Sequence, residues 1–342
     1  MKKLLPILGI LLCLCACHKD KEIAATEIAL SYKDVDYEIT KLVKLENDES
    51  FIPVLSSCDS KYLYGMMQDS AEFVEAVTTN RLFHLENGKV TNYPLNKQAY
   101  VSNQLMIQNK LFYIADINDD KGKALYQYNN GKNDLLIKRF HTDEVILVHH
   151  DSTFLVLAFN QNHIQISRYE KENLTQIAEI NLEQDLNGVT IAGVRQNDLF
   201  IITTKDEIKT LQSYDLNTGK IKHQLENEAF DQFIITDQHI VLYNGKKESV
   251  YNHSLELQNV YQTPEAHMIG VTYSSENNNI GVLIDANRNI YLRTYKDETC
   301  YKIDAEADVL LQELMITSIQ GQSLIATTAD NEIYKIEFQI NE

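Results

Sequence analysis

The sequence predicts an all-β protein built from one repeated four-stranded sheet, and three observations carry that prediction. From about residue 37 onward, short runs rich in Val, Ile, Leu, Tyr, Phe and Thr are separated by Asn, Asp, Gly and Lys, with no sustained helical period. FIITDQHIVLYNG, Phe233 to Gly245, and NIYLRTYKDE, Asn289 to Glu298, are examples. Second, one motif recurs in which a strand ends on an apolar or Tyr residue, followed by an acidic or Asn residue and often by Gly-Lys. It occurs as FHLENGK at Leu85, YQYNNGK at Tyr128, SRYEKEN at Tyr169, QSYDLNTGK at Tyr214, HSLELQN at Leu255, RTYKDE at Tyr295 and YKIEF at Ile336. The spacings are 43, 41, 45, 41, 40 and 41 residues, a unit of about 42 residues in seven copies. Third, the last copy stops at its third strand, and YEITKLVKLE, residues 37–46, supplies the strand it lacks. Together these predict a seven-bladed β-propeller of four-stranded blades, closed by an N-terminal strand that completes the last blade.

The elements follow in order. In blade 6 the strands read AHMIGVTYS, NIGVLIDA, NIYLRTYK and CYKIDAE, counted outward from the central channel. An eighth motif match at Leu45, in KLVKLEND, belongs to a fourth strand, because the next first strand follows it by only about five residues. The chain thus divides into residues 1–16, residues 17–36 and a propeller over 37–342.

The N-terminal stretch LLCLCACHKDK, residues 11–21, sets Cys13, Cys15, Cys17 and His18 at a spacing that suggests a metal knuckle. The segment opens with Lys2 and Lys3, continues through about a dozen apolar residues and turns abruptly polar, which describes a secretory signal. Leu14-Cys15-Ala16-Cys17 resembles the lipobox of bacterial lipoproteins. That resemblance implies a signal peptide over 1–16, lipidation at Cys17, and a tether over 17–36. A metal site would need three or four of these side chains to persist together, so the lipobox reading is preferred.

The chain has 31 Lys and Arg against 49 Asp and Glu; losing Lys2 and Lys3 leaves 29 against 49, a net charge of −20. Such a field repels phosphate backbones, which excludes nucleic acid as a partner. It also repels anionic lipid, so membrane attachment falls to the lipid on Cys17. Position 18 is His, where Asp marks inner-membrane retention in enterobacteria, and Lys19-Asp20-Lys21-Glu22 resembles the charged surface-export tags of Bacteroidetes-type lipoproteins. The resemblance implies an outer-membrane lipoprotein, with the periplasmic and surface sides both open.

Cys58 and Cys300 remain in the mature chain. The strand assignment puts Cys58 on an inner strand of blade 1 and Cys300 on an outer strand of blade 6, too far apart for a disulfide. Two free thiols are expected. YDLNTGKIKHQ, Tyr214 to Gln224, resembles one repeat of the quinoprotein-type propeller lipoproteins of outer-membrane protein assembly, but the Trp that docks neighbouring blades there is missing, since the chain has none. The WD signature is missing for the same reason, and the 19 Tyr residues are expected to pack between blades.

Propellers bind on the face formed by the loops between second and third strands and between successive blades, so acidic groups there are the candidate ligand-binding residues. DINDDKG carries Asp116, Asn118 and Asp120 at alternate positions, like the start of a calcium loop, but Lys121 stands where such a loop has Gly and Gln127 where it has Glu. A solvated turn is preferred there. Asp285 in DANRN, Asp330 in ADNE, and Asp69, Glu72 and Glu75 in DSAEFVEAVTT complete the set, which suits basic peptides or cations. His149 and His150 are adjacent on an extended strand and point to opposite faces, so they do not share a metal. Asp69-Ser70-Ala71 and Asp151-Ser152-Thr153 resemble the O-glycosylation sequon of Bacteroidetes.

No nucleophile elbow, HExxH or phosphate loop is present. No cofactor and no metal site are expected, and no catalytic residue is assigned. The leading reading is a non-enzymatic binding or scaffold lipoprotein of the cell envelope with a protein partner; the alternative is an envelope hydrolase or lyase acting on glycan or peptide in the channel.

Overall fold

The computed structural model of the chain describes residues 27–45, 51–58, 63–69, 79–86, 89–116, 122–142, 144–182, 188–226, 230–236, 238–264, 266–271, 280–295, 299–305, 308–320 and 323–340. Three strands lead: β1 (Glu27–Ala29), β2 (Ser31–Asp34) and β3 (Tyr37–Lys44). The first sheet is β4 (Phe51–Cys58), β5 (Leu63–Asp69), β6 (Thr79–Glu86) and β7 (Lys89–Ala99). The second is β8 (Val101–Ile107), β9 (Lys110–Asp116), β10 (Lys123–Gln127) and β11 (Leu135–Phe140). The third is β12 (Glu144–His150), β13 (Thr153–Asn160), β14 (His163–Glu170) and β15 (Asn173–Asn181). The fourth is β16 (Val189–Arg195), β17 (Asp198–Lys205), β18 (Ile208–Asp215) and β19 (Ile221–Glu226). The fifth is β20 (Gln232–Ile235), β21 (Ile240–Tyr243), β22 (Lys247–Tyr251) and β23 (Leu257–Gln262). The sixth is β24 (Ala266–Val271), β25 (Ile280–Asp285), β26 (Ile290–Thr294) and β27 (Thr299–Ile303). After the short helix α1 (Val309–Glu313), the seventh comprises β28 (Met315–Gln320), β29 (Ser323–Thr327) and β30 (Glu332–Phe338), with β3 paired antiparallel to β30.

Apart from the three leading strands, each sheet is an antiparallel meander whose strands follow chain order, and the first strands β8, β12, β16, β20, β24, β28 and β4 lie side by side in that sequence. Tight hairpins make the meanders possible. Gln108-Asn109 (φ 50° and 63°), Lys171-Glu172 (49° and 65°) and Asp206-Glu207 (50° and 67°) all place two residues in the left-handed region, the geometry that matches strand twist across a two-residue turn.

The core lies between neighbouring sheets, where large side chains interleave. Phe112 of the second sheet packs on Phe154 and Tyr169 of the third, with ring centroids 4.8 and 5.0 Å away. Tyr93 of the first sheet meets Tyr128 beyond β10 edge-on at 5.1 Å, and the Tyr128 hydroxyl donates to the Pro94 carbonyl at 3.1 Å. Tyr thus takes the wedge role. Between the seventh and first sheets, Leu42, Val43 and Leu45 pack with Leu85, Val90, Ile325 and Ile333.

The repeat positions fall where the spacing put them, with one shift. Leu85, Tyr169, Tyr214 and Ile336 stand on the third strands of their sheets, and Tyr128 and Tyr295 directly follow theirs. Leu255 instead sits in the turn after β22 at φ 60°. Cys58 ends β4, and Cys300 of β27 is a free, fully buried thiol.

One expectation is corrected. Residues 27–34, assigned to the tether, are strands: β1 pairs in parallel with β23, and β2 in parallel with β27. The physical reason is that an outer strand leaves a row of unpaired amides and carbonyls, which an extended segment satisfies. Leu30, between the two strands, is buried. Residues 1–26, with the signal segment and Cys17, lie outside the described residues. Among the described residues no helix is long and apolar enough to cross a membrane.

Candidate binding face and channel-side cleft

The acidic candidates occupy equivalent places in four sheets. Asp69 ends β5, Asp116 ends β9, Asp285 ends β25, and Asp330 follows β29. Each therefore stands at the far end of a second strand. Glu72, Glu75, Asn118 and Asp120 lie outside the described residues.

Where their side chains are described, two of these acids are already engaged. Asp116 Oδ1 lies 2.5 Å from Lys123 Nζ, and that ammonium sits 5.1 Å from the Tyr100 ring. Asp285 caps its own turn: Oδ1 accepts from the backbone amides of Asn287 and Asn289 at 2.9 Å each, while Oδ2 accepts from Asn289 Nδ2 at 2.9 Å and the Tyr291 hydroxyl at 3.0 Å. Partial burial, followed by this bond to a carboxylate, raises the Tyr291 pKa above its ordinary value. Asp285 is thus a turn-forming residue. Asp330 is exposed on its turn. Among the described residues no cluster of three or more His, Cys, Asp or Glu is placed to hold a metal ion.

His149 and His150 close β12, and only His150 is buried. Its Nε2 lies 2.7 Å from the Gln196 carbonyl in the next sheet. Gln108 Nε2 donates to Ser152 O (3.4 Å) and Arg195 Nη2 to Ile235 O (2.9 Å), so these side chains tie successive turns between first and second strands across four sheets.

On the opposite end of the first strands the structure opens a cleft of about 360 Å³ between the third and fourth sheets. Glu144, Ile146 and Val148 line it from alternate positions of β12, facing Val189, Thr190, Ile191 and Gly193 of β16, with Phe159 from β13. Val145 and Leu147 point the other way, into the core. A bulge between Ile191 and Gly193 bends β16, and Gly193 takes φ 151°, a conformation L side chains rarely adopt. Among the described residues the wall is apolar except for Thr190 and Glu144, the one ionisable side chain among them. Such a surface holds an apolar group by burial and a neighbouring cation by Glu144.

A second polar constellation is internal. Glu248 of β22 and Arg293 of β26 are fully buried between the fifth and sixth sheets, with Arg293 Nε 3.1 Å from Glu248 Oε2. The guanidinium also donates to the carbonyls of Thr294 and Thr299 and lies 4.5 Å from the Tyr261 ring and 5.2 Å from Tyr295. Burial pushes the Glu248 carboxyl up, against the pull of Arg293. Burial also raises the Cys300 thiol to about 12, which keeps it protonated while it stays buried.

The loop acids drew the functional reading of the sequence, and the cleft was missed. Its signal was available in EVILVHH and VTIAGVR, where alternate residues of a first strand face the neighbouring sheet on one side.

No family model and no curated protein matches this chain. Solved structures do. The WD40 β-propeller domain of Doa1 superposes with a TM-score of 0.52 at 11% identity, over 89% of this chain and 98% of that one. The β-propeller domain of the Trilobed protease from Pyrococcus furiosus, described as having an open velcro topology, superposes with a TM-score of 0.56 at 11% identity, over 84% and 97%. At this identity the likeness establishes the fold, an all-β β-propeller.

Proposed function

We propose that this chain is a bacterial envelope lipoprotein whose propeller binds a protein or peptide partner at the mouth of its channel. The observation that carries the binding reading is the cleft between β12 and β16, largely apolar, with Glu144 the one carboxylate among its described lining residues. It suits an apolar side chain next to a basic one. A hydrolase or lyase would need at least two titratable groups facing a substrate, and the described lining offers one. The lipobox Leu14-Cys15-Ala16-Cys17 supports the anchor, with residues 1–16 as signal and an outer-membrane address.

We also infer that the seven sheets are seven blades of one closed ring, with β3 as the outer strand of the last. The β3–β30 pairing and the packing of Leu42 and Val43 on Leu85 and Val90 support this closure.

Two experiments test the reading separately. Palmitate labelling of the expressed chain is expected, and its loss in Cys17→Ala; labelling that persists in that variant overturns the anchor. Crosslinking in intact envelopes is expected to capture a stoichiometric protein partner, with capture lost in Ile191→Asp and retained in Lys138→Ala on an outer strand. Equal capture by Ile191→Asp overturns the cleft as the binding site. Protease shaving of intact cells assigns the side of the membrane.

A further inference from the structure

Residues 27–34 cross the outer rim from one sheet to the next, and nothing in a four-stranded repeat requires them. We propose that this segment is a detachable latch that locks the fifth and sixth sheets together and opens without unfolding the ring, baring Cys300 and the outer edges of β23 and β27. Its hold is slight and concentrated. β1 and β2 are three and four residues long, every residue of β2 is exposed, and both strands pair in parallel. The single buried side chain is Leu30, which packs in one cluster with Tyr243, Tyr261 and Cys300. Most of the polar contacts are at the surface: Gln262 Nε2 donates to Glu27 at 2.9 Å, Lys247 lies 3.8 Å from Glu27, and Lys33 sits 5.8 Å from the Tyr301 ring, while Ser31 Oγ donates to Thr299 Oγ1 at a long 3.4 Å in a partly buried position. Exposed pairs of this kind add little.

What the latch covers also favours opening. Tyr32 stands directly opposite Cys300 in the register, and the neighbouring interior holds the Glu248–Arg293 pair, whose Glu248 Oε1 has no hydrogen-bond partner among the described residues. Water admitted when the latch lifts solvates that oxygen, which offsets part of the cost of exposing Leu30. β3 differs in each respect. It has eight residues, pairs antiparallel with β30 over most of its length, and shares a core with Ile336 and Phe338. Local opening ends where β3 begins.

Native-state hydrogen exchange on the full chain, combined with peptide-resolved alkylation of Cys300, tests the latch. Amides of residues 27–34 and the Cys300 thiol are expected to react through one shared opening, about a hundredfold or more populated than the opening that exposes β13 and β17. Leu30→Asp is expected to speed Cys300 alkylation about tenfold or more while leaving exchange in β13 and β17 unchanged. The proposal is overturned if, in the unmodified chain, residues 27–34 and Cys300 react only at the rate of β13 and β17. That comparison needs no variant, so it decides the matter even if Leu30→Asp fails to fold.

Discussion

Arg293 and Glu248 put two charges where neither reaches water, and their value lies in being present together. In Arg293→Met the Glu248 carboxylate is left buried without a cation, and about 3–5 kcal/mol of stability is expected to be lost at pH 7. The sign of its pH dependence follows from the direction of the carboxyl shift. Burial already raises the folded-state pKa of Glu248, and removing Arg293 raises it further. A carboxyl with a raised folded-state pKa contributes stability that is fully present below its ordinary value, near 4.5, and lost as pH rises through the folded-state value. Urea melts of Arg293→Met should therefore come closer to the unmodified protein at pH 4.5 than at pH 7. An equal deficit at both values would mean that Glu248 is not the group left stranded. Nothing in the sequence hints at this pair: Glu248 in GKKESV and Arg293 in IYLRTY read as solvent-facing residues of alternating strands, and only the stacking of two sheets makes them internal.

The recurring Gly-Lys turn shows at element scale how a repeat motif encodes packing between sheets. Gly131 and Gly219 sit in the turns between third and fourth strands at φ 71° and 66°. A methyl group on Gly131 would strike the Pro94 carbonyl of β7, and one on Gly219 the Glu179 carbonyl of β15, both on the preceding sheet. The turns therefore dock backbone on backbone. Asp134 and Asp215 fix the turns: Asp134 Oδ1 accepts from Asn129 N at 2.7 Å and Gly131 N at 2.9 Å, and Asp215 Oδ1 from Asn217 N at 3.0 Å and Thr218 N at 2.8 Å. Gly131→Ala and Gly219→Ala are each expected to lose about 2 kcal/mol or more in chemical denaturation. Gly245→Ala is the control, because at φ 82° it has open space where the methyl group would go and bears only the backbone cost of about 1–2 kcal/mol. Equal losses in all three would show that the close approach contributes nothing. Elements of this kind were legible in the sequence because their pattern is local and repeated. The β1–β2 segment was not: Ile28, Leu30 and Tyr32 alternate in EIALSYKD, but the segment is short, belongs to no repeat unit, and its partners lie more than 200 residues away. The cleft was hidden differently, because a cleft-lining Ile146 or Ile191 has the same chemistry as a core residue one position along.

For the molecule as a whole, the proposed ring ties its stability to β3. A strand at the chain start that completes the last sheet makes every sheet a neighbour of two others, so that none unfolds alone. Net charge of −18 on the full chain opposes compaction, and what holds the ring against it is the apolar seam that a gap would open to water. Two truncations separate the contributions. A chain beginning at residue 27 keeps β1, β2 and β3 and is expected to unfold in one transition. Far-UV circular dichroism and Tyr fluorescence should coincide, Tyr being the reporter because the chain has no Trp. A chain beginning at residue 47 lacks β3, leaving β30 unpaired along its outer edge and stripping Leu42 and Val43 from Leu85 and Ile333. That chain is expected to lose the single transition, with the seventh and first sheets exchanging amide hydrogens far faster than the third and fourth. Adding the peptide Tyr37–Lys44 should restore protection in β30, whose register it supplies. If the chain beginning at 47 melts with the midpoint and slope of the longer one, β3 is an appendage of the seventh sheet and the ring does not depend on it.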